Sequence, residues 1–473
     1  MHFLIFPGAA AILLLTLFFA RKYDRLDHIL KGLTFAYCAV CFFRFLLPDA
    51  FIYQINGAWF ESKYFDSSDI LGLVLRWGYY TNCVVLPMAV FTKSRLFRNI
   101  ASYFSLPFSI ASVVCTNNYM QYYLAPEGHG YHLPTAARWS VFVCEMLLAI
   151  AIPLLLQFGK KHVFNLRDKT EWKNFLLGLP AVVLMMVPAY APQTIWGYDV
   201  ITPARGSNYH LIWVGILFVV TLGIYYYFRF RCYEDRNNLV LFLTLLLFFH
   251  YDSLYMMGVN ISRLPFQLCN IASYFYLIVI LFRLEKMFQF CFIANTVGAL
   301  FAILFPDFGT GNMSFWNVHF IIEHTLVLWI AAYGMGLRIF PRFSKKTFKY
   351  FSIGYTTYVV LIYILGTVLN GFSDVTGETV NYFYMFDFET AYDYFPFAVF
   401  LEDVVIHIGR FTLYPLFPML VYFGFGFLCI LYYFFIKVCY KLEDDHLELR
   451  RSSIDLYEKI TKKTSRRPKD FID

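Results

Sequence analysis

Residues 211–228 read LIWVGILFVVTLGIYYYF, eighteen consecutive positions without one charged side chain. A helix needs roughly 17–25 apolar residues to cross the hydrocarbon of a bilayer, so this stretch can span one by itself. Arg229, Arg231 and Arg236 follow it at once and mark where it leaves the membrane. Similar windows recur near 3–20, 29–47, 70–92, 100–115, 139–159, 175–191, 239–258, 266–282, 287–305, 316–337, 350–370 and 411–436. The whole chain agrees with them: of 473 residues, 59% are hydrophobic, 21% aromatic and only 15% charged. A soluble domain is nearer ~half apolar and ~a quarter charged. Soluble, disordered and collagen-like classes are excluded. The expected fold is an all-α polytopic membrane protein with about thirteen transmembrane helices.

The connecting segments assign sides. On alternate sides, 21–28, 93–98, 160–173, 229–236, 283–286 and 338–349 together carry 21 Lys and Arg, while the opposite segments carry 5. The tail from Lys437 adds ten more to the basic side. The positive-inside rule places that side in the cytoplasm, with the N-terminus outside and the C-terminus inside, in a plasma membrane. No basic segment precedes the first apolar run, so it reads as a retained helix rather than a cleaved signal. The net charge of +7 is a sorting signal and an attraction to anionic lipid, and no nucleic-acid partner is implied. Residues 441–473 read as a short charged cytoplasmic helix, either plainly solvated or docked to a cytoplasmic partner.

Self-comparison suggests a repeat. Arg76 and Cys83 correspond to Arg263 and Cys269, Trp139 and Glu145 to Trp316 and Glu323, and Asn208-Tyr209 to Asn381-Tyr382. The pairs keep one order along the chain. They predict one N-terminal helix and link (1–28), a first six-helix unit (29–238), a second lying the same way up (239–436), and the tail 437–473.

No phosphate-binding glycine loop, nucleophile elbow or His-Glu-x-x-His pair occurs, and no cofactor or metal is expected. Cys38 and Cys41 form a C-x-x-C, but within an apolar helix and without a second pair, which reads as packing. Ionisable groups inside spans carry more information, because hydrocarbon makes them costly. Cys269 and His324 lie four residues past Pro265 and eight past Trp316, at similar expected depths near the outer leaflet. His319, Glu323, Asn270, Asn295, His250 and Asp252 fall in or near the same zone. An imidazole beside a thiol can take its proton and create a nucleophile able to hold an acyl group as a thioester. Asn295, Asp252 or Asn381 can orient that imidazole, and spacing does not choose among them. Arg263, at the interface, can hold a lipid phosphate or simply snorkel. The long connection 372–410 reads as a lid or an interfacial helix carrying Glu402, Asp403 and His407.

Leu264-Pro-Phe-Gln-Leu-Cys-Asn-Ile, Ile322-Glu-His-Thr-Leu-Val-Leu-Trp and Asn381-Tyr382 together resemble the YwaF-type family of integral membrane proteins. That family shows Leu-Pro-Leu-His-Leu-Cys, His-His-Gly and Asn-Tyr segments on a six-helix core. The resemblance covers about 239–436 and implies kinship with a cysteine-dependent transmembrane acyltransferase of ether phospholipids. It would make Cys269 the nucleophile and His324 the base. Gln267, Glu323 and Thr325 depart from the family pattern. In the first half Met146 or Leu147 stands where His324 falls, so only the second half carries the pair.

Three functions remain open on the sequence. The first is a phospholipid acyltransferase, transacylase or lipid esterase acting on membrane phospholipids through an acyl-thioester. The second is a transporter or lipid translocator of two parallel repeats, and the third is a membrane scaffold without a substrate.

Overall fold

The computed structural model describes residues 2–23, 25–45, 70–92, 94–115, 135–158, 167–169, 171–172, 176, 206–252, 261–306, 315–343, 346–386, 399–402 and 404–461. In chain order the helices are α1 (Ile5–Tyr23), α2 (Leu26–Phe45), α3 (Ile70–Phe91), α4 (Arg95–Ile100), α5 (Leu106–Val114), α6 (Thr135–Phe158), α7 (Asn208–Phe228) and α8 (Tyr233–Leu246). They continue with α9 (Leu268–Phe282), α10 (Glu285–Leu304), α11 (Phe315–Gly336), α12 (Thr347–Gly371), α13 (Ser373–Thr376) and α14 (Val399–Glu402). A small hairpin follows, β1 (Ile406–Ile408) and β2 (Phe411–Leu413), and then α15 (Leu416–Thr461). Wide π turns, Ala101–Ser105 and Leu247–Asp252, join α4 to α5 and extend α8.

Among the described residues, six helices are long and apolar enough to cross a membrane. They run over Leu26–Arg44, Trp139–Phe158, His210–Phe228, Glu285–Leu304, Thr347–Gly371 and Leu416–Asp445. Ile5–Ala20, Tyr80–Phe91 and Leu268–Phe282 are shorter apolar helices. On α7, Phe218 and Val219 are 65% and 68% exposed, as are apolar side chains around the rest of its surface. Such a surface requires lipid as its solvent, and the helix is the form that satisfies the backbone there. The chain is a multi-pass membrane protein. Apart from Leu176, the expected span 175–191 lies outside the described residues, as does the end of 239–258.

The chain forms two compact units that cut across its sequence halves. The first comprises 1–211, 241–263 and 307–323, and the second 212–240, 264–306 and 324–473. In the first, α6 packs against α1, α2 and α5, while α2 packs against α3. Arg44 of α2 reaches Glu145 of α6 at 3.0 Å, with both side chains almost wholly buried. The same guanidinium donates to Cys83 Sγ of α3 at 3.3 Å and lies over the Tyr80 ring. Cys83 therefore sits deep within a long helix, whereas Cys269, its counterpart in the sequence comparison, is the second residue of one.

In the second unit, α10 packs against α9, α12 and α15. Arg283 and Arg338 take left-handed conformations (φ 54° and 58°) just past α9 and α11. At the first, Leu284 N–H donates back to Val279 O, and at the second Ile339 N–H donates to Gly334 O, satisfying last-turn carbonyls. Three expected basic loops meet at this end. Arg342 binds Glu443 and Asp444 at 2.6 Å each, Arg338 binds Asp444 at 2.6 Å, and Arg229 lies 3.3 Å from Glu443. Arg283 donates to Asn237 Oδ1 at 2.9 Å. Segments 229–236, 283–286 and 338–349 thus share one end of the unit, as their charges predict.

Two expectations need revision here. The last span and the tail are one helix of 46 residues, rather than a span ending near 436 and a separate tail helix. No Gly or Pro lies between Lys437 and Thr461 to stop it. The connection after α12 is built on a β-hairpin, with His407 on its first strand, instead of an interfacial helix carrying Glu402 and His407. Asp403 lies outside the described residues.

Candidate active site

Cys269 is positioned by a helix that starts late. Pro265 and the turn around it keep the chain irregular through Gln267, whose backbone is extended (φ −63°, ψ 148°) and caps α9. The helix begins only at Leu268, so the thiol occupies its first turn rather than a position one turn inside, as the sequence spacing predicts. With 15 residues, α9 is about 22 Å long, short of the ~30 Å hydrocarbon core. Its N-terminus carries Cys269 as the second residue. Helix geometry directs the first-turn N–H groups past that end, where they favour an anion or thiolate.

A second irregular segment meets the helix at its N-terminal end. Gln267 Nε2 donates to Asn381 O, and Phe383 N–H donates to Gln267 Oε1, both at 2.8 Å. One side-chain amide thus grips the Asn381-Tyr382-Phe383 backbone at both its donor and its acceptor. Asn370 grips the preceding residue in the same way, donating to Val380 O at 3.0 Å and accepting from Val380 N–H at 2.7 Å. Asn381 Oδ1 accepts from Phe386 N–H at 3.0 Å. These bonds hold Phe383 and Tyr384 at φ 55° and 54°, left-handed geometry that bulky residues avoid. Non-helical backbone at membrane depth survives only when buried in protein or lining a cavity. Here Tyr382 and Phe383 are buried, and the Phe383 ring packs against Tyr355, Tyr358 and Phe425.

Around the thiol, Cys269 Sγ lies 3.6 Å from Asn270 Oδ1 and is half-buried. Tyr358 is within electrostatic reach of it and donates its hydroxyl to Phe266 O at 2.9 Å. The rings of Phe266 and Tyr382 meet edge to face at 5.4 Å. Asn270, Asn381 and Tyr382 are thus gathered around the start of α9. Asn295, on α10, is 99% buried beside the Tyr276 hydroxyl. One turn further along α10, Gly298 backs directly onto the Leu268 side chain.

The remaining candidates divide between the units. His324 belongs to the second, with Cys269, and is 5% exposed. His319 and Glu323 belong to the first, where His319 Nε2 lies 3.4 Å from Glu323 Oε2 and its ring lies 5.5 Å from that of Tyr251. His250, also in the first unit, shares a 2.7 Å hydrogen bond with Tyr80 O and stacks near its ring, which accounts for it structurally. The side chains of Asp252 and Arg263 lie outside the described residues. Sequence reasoning missed Gln267 as a clamp, Asn370 as its companion and Tyr358 as a neighbour of the thiol. Among the described residues, no group of three or more His, Cys, Asp or Glu side chains is placed to hold a metal ion.

The Cys269 thiol thus stands in the first turn of a short helix whose N-cap residue clamps an irregular segment, in a multi-pass membrane protein. Residues 205–436 match the TMEM164 family, a family of transmembrane proteins. That interval includes Cys269, His324 and Asn381. No match is found among curated proteins or solved structures.

The clamp is directly testable. Gln267→Leu removes both bonds and leaves Asn381 O and Phe383 N–H without them. A loss of about 1–3 kcal/mol of unfolding free energy is expected for buried groups treated this way. Gln267→Glu keeps the acceptor for Phe383 N–H and should recover part of it. Urea unfolding in detergent micelles checks the order of the two variants.

Proposed function

We propose that the protein is an integral membrane phospholipid acyltransferase, transacylase or lipid esterase working through Cys269 and His324. The observation that carries this reading is the place of Cys269 in the first turn of an apolar helix too short to cross the hydrocarbon core. A lipid ester can reach such a thiol laterally, and the first-turn N–H groups suit the oxyanion of a tetrahedral intermediate. In the proposed cycle His324 takes the thiol proton as sulfur bonds to the ester carbonyl. The alcohol portion of the lipid leaves with that proton. An acceptor hydroxyl then attacks the thioester, giving its proton to His324; the carbon–sulfur bond breaks, the Cys269 thiolate takes that proton back, and the acyl product departs. The acceptor is a second lipid for transacylation, or water for hydrolysis.

The outer location and terminal orientation expected from loop charge make acyl-CoA inaccessible, so the donor is itself a membrane lipid. In this reading the second half descends with the first from a tandem duplication and holds the only competent Cys-His pair. Reconstitution into nanodiscs with an acyl-labelled phospholipid and an unlabelled lysophospholipid tests the proposal. Label should move to the lysolipid or appear as free fatty acid; label that stays on the donor across headgroups counts against it.

A transport function is the second reading, favoured by the Arg44–Glu145 pair buried within a membrane unit. It predicts flux of a charged solute or lipid across liposomes that Glu145→Gln abolishes.

A further inference from the structure

Between α12 and α15, both long enough to span, the chain must stay at one face of the membrane. The hairpin there is amphipathic. Ile406 pairs with Leu413, His407 with Thr412 and Ile408 with Phe411. Side chains alternate across a strand, so Ile406, Ile408, Phe411 and Leu413 share one face while His407 and Thr412 share the other. The turn is tight, with Gly409 at φ 60°, as two-residue hairpin turns favour.

Among the described residues, only the inner strand of the apolar face is covered by protein. Phe411 packs on Phe372 at 6.1 Å and lies so close to Gly371 that an added Cβ would meet its ring at 2.4 Å. The outer strand overhangs, with Ile406 and Ile408 49% and 59% exposed. Val375 on α13, Phe400 on α14 and Val404 just before β1 are exposed as well. Two residues after β2, α15 begins with Leu416, Met419 and Phe423 exposed on its flank. At ~3.3 Å per residue the three steps from Leu413 to Leu416 keep the hairpin within about 10 Å of the spanning helix. The overhanging face therefore continues the lipid-facing surface of α15.

We propose that the outer strand of this hairpin is a lipid-contacting element, with Ile406 and Ile408 seated in the boundary between headgroups and acyl chains. Its occupant is the phospholipid bilayer itself. Arg410, at the turn, lies over the Phe372 ring at 4.5 Å and 3.5 Å from Asp374, which keeps the charged tip out of the hydrocarbon. The base of the hairpin is bonded to the core: Tyr363 OH donates to Tyr414 O and accepts from Tyr414 N–H. Tyr363 also stacks on Phe386 at 5.8 Å, the residue whose N–H binds Asn381. A rigid path thus runs from the lipid-seated strand to the clamped segment beside Cys269. The contact itself does not depend on any chemistry at Cys269.

The test places p-benzoylphenylalanine at Ile408, at His407 or at Phe423, in full-length protein in phosphatidylcholine nanodiscs. Irradiation followed by mass spectrometry reads covalent lipid adducts. Ile408 should yield adduct at a level comparable to Phe423 and several-fold above His407 on the opposite face. Absence of adduct at 408 while 423 labels would overturn the proposal, as would equal labelling at 407 and 408. Ile406→Asp, read by the lipid adduct remaining at 408, is the second variant: a charge at the seated face should reduce it, and an unchanged yield would count against the seat.

Discussion

Glu145→Ala is expected to cost roughly 3–5 kcal/mol of folding stability, the range for removing one partner of a buried ion pair. Arg44 is 3% exposed and Glu145 fully buried. The guanidinium also donates to the Cys83 sulfur and lies over the Tyr80 ring. Neither compensates a buried cation. Replacing both residues, with Arg44→Met and Glu145→Leu, should return most of the loss, because the desolvation of both charges disappears with them. Unfolding in detergent by urea or heat, on the single and double variants, checks both the sign and the non-additivity. A single variant as stable as the parent would mean the pair contributes little to the first unit.

The second large effect concerns chemistry. Cys269→Ala should abolish acyl transfer, since no other group on the proposed route can hold the acyl chain. His324→Ala should reduce it by roughly 10²–10⁴-fold, the usual contribution of a positioned acid–base group. Cys269→Ser separates nucleophilicity from shape, because the hydroxyl occupies the same place in the first turn of α9 but is a far weaker nucleophile at neutral pH. Cys83→Ser is the matched control. It alters a thiol of similar sequence context that lies deep in α3 and accepts from Arg44, and it should leave acyl transfer intact if the protein remains folded. Rates measured on nanodisc-embedded variants of equal folded fraction check all four.

Much of the membrane architecture is legible from residues alone, because hydrocarbon imposes one rule on every segment that enters it. Apolar length finds the helices, and Arg229, Arg338 and Arg342 cluster at one end of the second unit, as loop charge predicts. The Cys269 and Asn381-Tyr382 motifs, 112 positions apart, are joined through Gln267, which sequence reading notes only as a departure from a family pattern. Other features leave weaker traces. Phe383 and Tyr384 adopt left-handed geometry without a glycine to announce it, because side-chain amides from distant helices enforce it. The late start of α9 depends on the same contacts. The hairpin does carry a signal, alternation around Gly409-Arg410, but the apolar content of Phe411–Leu413 merges with the following span in any hydropathy window. The Arg44–Glu145 pair joins residues 101 positions apart, a distance over which spacing carries no geometry.

The central claim is that Cys269 carries an acyl group. Its most direct test is peptide mass spectrometry of the protein after incubation with a labelled phospholipid in nanodiscs. The account predicts a hydroxylamine-sensitive acyl adduct confined to Cys269, absent in Cys269→Ser and diminished in His324→Ala. An unmodified Cys269 across several phospholipid headgroups, with no acyl turnover, would contradict it.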